Sequence, residues 1–187
     1  LAAGTDAGAR ARGLGNAVHE ALEWSARRDW AEPGEQLLAA LLEREGVGDA
    51  DSLGRARELI LGWLGSELCA QLRGSRLRPE APFVLPLGAT VLRGSIDLLA
   101  ETDAGPQVID FKTDRVGPAG VAELGERYAE QRAVYALAAA ASHPDAESIQ
   151  TAHVFLERPD EPVVERFDAA ALARARKRLE RLVERIR

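Results

Sequence analysis

Asp110 and Lys112 stand two positions apart in V108-I-D-F-K-T-D114, an apolar run that carries charge where a buried strand should carry another Val or Ile. In extended backbone, residues i and i+2 share a face, so this carboxylate and ammonium project side by side while Ile109 and Phe111 turn into a core. Burying both is costly unless they have partners or chemistry to perform. The neighbouring run R93-G-S-I-D-L-L99 repeats the pattern with Asp97. A structural Asp–Lys pair at a strand edge is the bland alternative. Composition weighs against it: of 24 Lys and Arg, only Lys112 and Lys177 are lysines. A chain that uses Arg nearly everywhere but Lys between Asp110 and Thr113 points to a need for a compact point charge on a stem.

Asp97 and Asp110, read as adjacent strands, bring two hard oxygen ligands together, the type Mg²⁺ or Mn²⁺ prefers with waters completing the octahedron. The Phe111 carbonyl is a further candidate ligand. Lys112 beside such a metal can hold an attacking water and offset charge in a phosphoryl transition state. Glu80, in R78-P-E-A-P-F83, opens the preceding strand and is a candidate accessory acid, with a solvated strand-start charge as its alternative. His19 and Glu23 are i,i+4 neighbours on one helix face, although a lone His is more often structural than a ligand. His143 reads as a loop residue and His153 as a strand residue, neither with a function. A Gly-x-Ser-x-Gly elbow, a paired Cys–His arrangement and a phosphate-cradling G-x-x-x-x-G-K-[ST] loop are all missing, so the chain is not itself an NTP-driven motor.

The elements that must position these groups follow from periodicity. Leu1–Ala11 reads as a frayed lead-in, and helices are expected over Arg12–Arg28, Glu35–Arg44 and, capped by Asp51 or Ser52, on to Leu72. Strands follow at Glu80–Leu87 (Pro82 and Pro86 marking an edge), Thr90–Ala100 and Gln107–Lys112, an antiparallel meander. After Gly117-Pro118 a single helix is expected over Ala119–Ala141, with Gln131 and Tyr135 on one face. Strands at Ser148–Glu157 and Val163–Phe167 precede a final Arg-rich helix capped by Asp168. The predicted fold is α/β: a central mixed sheet flanked by helices, with an N-terminal helical lobe. Residues 1–74 form the helical part and 75–187 the core, together one domain.

At 187 residues the chain is long enough to bury a full core, and 46% hydrophobic with 29% charged residues is ordinary for a soluble globular protein. No apolar run is long enough to span a membrane and no secretory signal is visible, so no membrane partner is expected. A single Cys69 excludes an intramolecular disulfide and any multi-cysteine metal or iron–sulfur site within this chain, and fits a reducing cytoplasm. The net charge of −6 argues against a general polyanion binder but not against a nucleic-acid enzyme with a metal-neutralised acidic site. Opening on Leu1 and containing no Met, the chain looks like a piece of something longer. The terminal arginines from Arg174 to Arg187, interleaved with Glu180 and Glu184, read as a solvated face rather than a phosphate track.

I-D-F-K-T (109–113) with G94-S-I-D97 resembles the paired core of the PD-(D/E)xK nuclease superfamily, which implies a restriction-endonuclease-like core. G15-N-A-V-H-E-A-L-E23 resembles the helical histidine motif of its RecB-like branch, and E80-A-P-F83 and Q131-R-A-V-Y135 match that branch in order and spacing. D110-F-K-T-D-R115 followed by Y128-A-E-Q-R-A-V-Y135 is similar to the nuclease domains of AddA/RecB-type helicase–nucleases. The resemblance implies Asp97, Asp110 and His19 as metal ligands, Lys112 as catalytic lysine and Glu80 as accessory acid. It further implies Gln131 and Tyr135 as site or DNA supports and Thr113 as a supporting hydroxyl. The implied partners are DNA, single-stranded or unwound, and a helicase motor in the same polypeptide or complex. A four-cysteine iron–sulfur staple found in some relatives is not expected here. Two other readings stay open: a silent nuclease-like DNA-binding or assembly module, and a hydrolase of another phosphoester.

Overall fold

The computed structural model of the chain describes residues 2–117 and 120–186, with side chains over 7–117 and 120–185. Leu1, the expected helix start at Pro118–Ala119 and Arg187 lie outside the described residues. Four helices come first: α1 (Ala2–Ala26), α2 (Glu35–Arg44), α3 (Ala50–Leu64) and α4 (Glu67–Leu72). Then follow β1 (Arg76–Leu87), β2 (Thr90–Thr102), β3 (Gly105–Lys112), α5 (Gly120–Arg127) and α6 (Ala129–Ser142). The chain closes with β4 (Ser148–Phe155), β5 (Val163–Asp168) and α7 (Ala169–Ile186).

The strands form one five-stranded sheet in the order β1-β2-β3-β4-β5. All neighbours are antiparallel except β3 and β4, which run parallel through the α5–α6 crossover. The sheet is therefore mixed, with the expected meander at one end and the proline-bearing β1 at its edge. Asp110 and Lys112 lie on the central strand, not at an edge. Each face of the sheet has its own core. Val18, Leu22, Leu42, Ile60 and Trp63 of the first helices pack on Leu98, Ile109, Phe111 and Val154. On the opposite face Ala133, Ala136, Leu137 and Leu179 of α6 and α7 cover Leu85, Leu99, Val108 and Ile149. Coverage on both faces explains why β3 is almost continuously buried.

Four expectations are corrected. The supposed lead-in is helical from Ala2, so α1 is longer than its apolar stripe. The helix expected through Leu72 breaks at Gly65-Ser66, where the Ser66 hydroxyl accepts from the Cys69 amide and starts α4. Its cap is Asp49, whose carboxylate accepts from Ser52 N at 3.0 Å, rather than Asp51 or Ser52. The helix expected after Gly117 is likewise two helices, divided at Tyr128. No helix among the described residues is long and apolar enough to cross a membrane.

Candidate active site

The register of the sheet puts the chemistry-bearing residues in one row. Glu80 stands opposite Asp97, at the one position between Arg76 and Leu87 where the β1–β2 ladder forms no pair. Asp97 stands opposite Asp110, one step beyond the last β2–β3 pair, Leu98 with Ile109. Asp110 is paired with His153 across the parallel β3–β4 ladder. Two local features break the ladder here. Glu80 adopts a left-handed backbone with φ of 48°, which costs a residue with a Cβ roughly 1–2 kcal/mol. Asp97 Oδ2 accepts the Phe111 amide at 2.9 Å, so a side chain takes the place of a strand partner. Strain of this kind concentrates at functional sites.

Lys112 Nζ lies 2.6 Å from Asp110 Oδ2, an ion pair. The ammonium donates to Gln131 Oε1 at 2.8 Å, and Gln131 Nε2 donates to Tyr135 Oη at 2.9 Å. The shared face of Gln131 and Tyr135 on α6 thus aims Lys112. From the other side of the sheet, α1 brings His19, whose Nδ1 lies 3.4 Å from Asp97 Oδ2 and whose ring meets Phe111 edge-on. Glu80 accepts from the Ser95 hydroxyl at 2.7 Å. Thr113 packs against Gly15 of α1, where a Cβ would come within 3.1 Å of its hydroxyl. Glu23 lines the same groove as His19 and Glu80 and is held by Arg27 at 2.7 Å.

Burial sets the electrostatics. It pushes Asp97 up to about 6, against the Phe111 amide and Lys112. Asp110 rises to about 7 through burial and then the Asp97 charge, with Lys112 opposing. Burial lowers His19, opposed by the Asp110 charge. Both carboxyls therefore gain from a cation. Among the described residues no group of three or more His, Cys, Asp or Glu side chains is arranged to hold a metal ion.

Two residues at the site were missed from sequence. His153, passed over as a strand residue, lies with Nε2 3.5 Å from Asp110 Oδ2. Tyr128 carries the Lys112 ammonium 4.3 Å above its ring and donates its hydroxyl to Asp114 at 3.0 Å. The alternating polarity of β4 offered no hint of His153, because the register with β3 depends on a crossover. Tyr128 had a signal, its place in the motif ending at Tyr135.

Along the site runs an open groove of about 1130 Å³, walled by α1, the start of α3 and the loop after Lys112. His19 and Glu80 line it, as do Arg12 and Arg115.

Known proteins are similar to this chain in sequence and fold. The chain is 33% identical over 116 residues to one subunit of the ATP-dependent helicase/nuclease of Desulforudis audaxviator, a match covering 54% of this chain and 9% of that protein. It thus spans under a tenth of that relative's length. A crystal structure from Eubacterium rectale, of a protein provisionally named an exonuclease, superposes with a TM-score of 0.50 at 14% identity. That superposition covers 83% of this chain and 67% of the other, and at such identity it shows a shared fold. The profile of the PD-(D/E)XK nuclease superfamily matches residues 2–187. With Asp97, Asp110 and Lys112 meeting on adjacent central strands of that fold, the chain belongs to the PD-(D/E)XK nuclease superfamily.

Proposed function

We propose that this chain is a divalent-metal-dependent deoxyribonuclease, acting on single-stranded or unwound DNA delivered by a helicase in the same polypeptide or complex. One observation carries the reading: the half-buried Asp97 and the buried Asp110 face each other across β2 and β3, with the Lys112 ammonium against Asp110. The naming of the Desulforudis audaxviator relative as part of a helicase/nuclease supports the motor and a place in DNA repair or recombination. A core shared by the first helices and the sheet supports the reading of 1–74 and 75–187 as one domain.

The donor types present suit Mg²⁺ or Mn²⁺, although the side chains are not gathered around a common point among the described residues. Asp110 Oδ2 is buried without a formed hydrogen bond, and hard carboxylate oxygens dominate the site. Asp97, Asp110 and the Phe111 carbonyl would hold the ion, with His19 supplying a nitrogen and Glu80 an accessory charge. Such an ion supplies Lewis acidity, which acidifies water and offsets phosphoryl charge. Hydrolysis joins the water oxygen to phosphorus and breaks the bond to the leaving oxygen, which takes a proton as the water loses one. Lys112, aimed by Gln131, donates hydrogen bonds to the attacking water or a phosphoryl oxygen as negative charge grows.

The groove supports the strand's path. Several charges lining it are matched: Glu20 by Arg44, Glu23 by Arg27, Arg10 by Asp49 and Arg55 by Glu157. Of the groove's described residues, Arg12 and Arg115 lack an ion pair, as do the acids Asp51, Glu80 and Asp114, the last two of which accept from the Ser95 and Tyr128 hydroxyls. Arg12 lies seven residues before His19, two helical turns or roughly 10 Å along α1. A phosphate backbone laid along this wall leads to the carboxylates.

The test is degradation of end-labelled single-stranded DNA in Mg²⁺ or Mn²⁺. Cleavage is expected to vanish in EDTA and to fall at least about 10²–10³-fold in Lys112→Ala. No cleavage by wild type with either metal, or undiminished cleavage by Lys112→Ala, would overturn the assignment.

A further inference from the structure

We propose that His153 is a positioning residue for Asp110, donating from Nε2 to the carboxylate, and that Arg132 fixes the imidazole tautomer that makes this possible. The inference rests on the nuclease reading and extends it to His153, outside the matching motifs, and to Arg132, a position within Q131-R-A-V-Y135 that has been given no role.

The geometry starts with the sheet. Asp110 and His153 are direct partners in the parallel β3–β4 ladder, so their side chains lie beside each other on one face. Both are closed off from solvent, with side-chain exposures of 2% and 1%. Asp110 Oδ2 and His153 Nε2 are 3.5 Å apart; the Lys112 ammonium stands 2.6 Å from the same oxygen, whereas Nε2 has no hydrogen-bond partner. A buried N–H left unpaired is costly, and the carboxylate facing Nε2 is the acceptor it lacks. A small rotation of either side chain closes the bond.

The far side of the ring decides which nitrogen carries the proton. Arg132 Nη1 lies 3.5 Å from His153 Nδ1. A guanidinium has only donors, so this contact is a hydrogen bond when Nδ1 accepts, which puts the proton on Nε2, toward Asp110. Arg132 is not free to turn away. It is buried, donates to the Gly125 carbonyl at 2.6 Å and pairs with Glu165 at 3.1 Å. Gly125 keeps that carbonyl close because α5 sits tightly on β5, where a Cβ would meet Val163 at 3.0 Å. The Tyr128 ring meets His153 edge-on at 5.5 Å while supporting Lys112, so one residue of the α5–α6 junction braces both partners of Asp110.

The chemistry explains why a neutral imidazole suits this place. Lys112 already provides a cation at Asp110, and a second would compete with a divalent ion for the same charge. A neutral N–H donor orients the carboxylate and leaves its charge in place, the role that outer partners of metal ligands commonly play.

Calorimetric titration of Mn²⁺ into wild type, His153→Leu and His153→Gln tests the assignment, since Gln retains an N–H donor and Leu does not. Leu is expected to weaken Mn²⁺ binding about 10- to 100-fold and Gln to recover most of it. Oligonucleotide affinity in EDTA should be the same in all three. Equal Mn²⁺ binding by wild type and the leucine variant overturns the role of His153, while wild type that binds no Mn²⁺ overturns the metal-dependent reading itself. A second measurement needs no variant: ¹⁵N–¹H correlation of the imidazoles, of which the chain has three. His153 is expected as the neutral Nε2–H tautomer at pH 7, and the Nδ1–H tautomer or an imidazolium there overturns the inference even where the leucine variant fails to fold.

Discussion

A half-buried and a buried carboxyl group facing each other across β2 and β3 repel whenever both are ionised, and burial compounds the cost. Asp97 and Asp110 are both raised in the folded chain, to about 6 and about 7, above the roughly 3.9 of an unfolded Asp. Between about pH 4 and pH 7 the folded protein therefore holds more protons than the unfolded one, and stability falls as pH rises through that window. Metal-free protein should melt progressively lower from pH 5 to pH 8, by free energies on the order of a few kcal/mol. Mn²⁺ at pH 8 should restore the loss by binding the folded state, and Asp110→Asn should flatten the slope. A melting temperature independent of pH in the metal-free protein would contradict this electrostatic account. Asp97, Asp110 and Lys112 were legible in the sequence because a period of two fixes which side chains share a face, and charge in an apolar run stands out. His153 was not. Its meeting with Asp110 is set by a parallel register formed across 42 intervening residues, which no local pattern encodes.

At the scale of elements, the site depends on how closely α1 approaches the rest of the molecule. Gly13 is buried where α1 crosses the end of α2, and a Cβ there would lie 2.9 Å from the Glu45 carbonyl and 3.2 Å from Val47. Backbone on one side leaves little room to give. Gly13→Ala should cost about 1–3 kcal/mol by overpacking. Because His19 lies less than two turns further along the same helix, the variant should also weaken Mn²⁺ binding, with oligonucleotide binding in EDTA less affected. Calorimetry and thermal melts measured together check this; a destabilised variant with wild-type Mn²⁺ affinity would separate α1 from the metal site. The helical lobe was legible in outline, since Leu14, Val18 and Leu22 repeat at helical spacing. Its divisions were hidden for physical reasons. The stripe of Leu59, Ile60, Trp63, Leu64 and Leu68 runs on across the Gly65-Ser66 break, and Asp51 and Ser52 are cap formers as good as Asp49. The division at Tyr128 carries neither Gly nor Pro; its reason is tertiary, since that ring stands between Lys112 and His153.

For the whole molecule, the net charge of −6 opposes a polyanion at long range, so a strand must be held by a few cations concentrated near the site. Two surfaces offer them. On α7 the arginines are diluted: Arg178 pairs with Glu130, Arg176 approaches Glu180, and the helix spends Ala175 and Leu179 on packing in the core beside α6. In the groove, Arg12 and Arg115 stand on two walls beside His19 and Glu80. Each phosphate neutralised contributes about 0.7 to the slope of log affinity against log salt for a single strand. Binding of a labelled oligothymidylate in EDTA, followed by anisotropy across a salt series, should therefore show a slope shallower by about 1.4 in the double variant Arg12→Ala, Arg115→Ala. Arg181→Ala with Arg185→Ala, exposed positions on α7, should leave the slope where it was. The comparison reads the path of the strand without any cleavage. If the α7 pair flattens the slope and the groove pair does not, the strand runs over the other side of the sheet. In that case α1 serves to carry His19 and not to guide DNA.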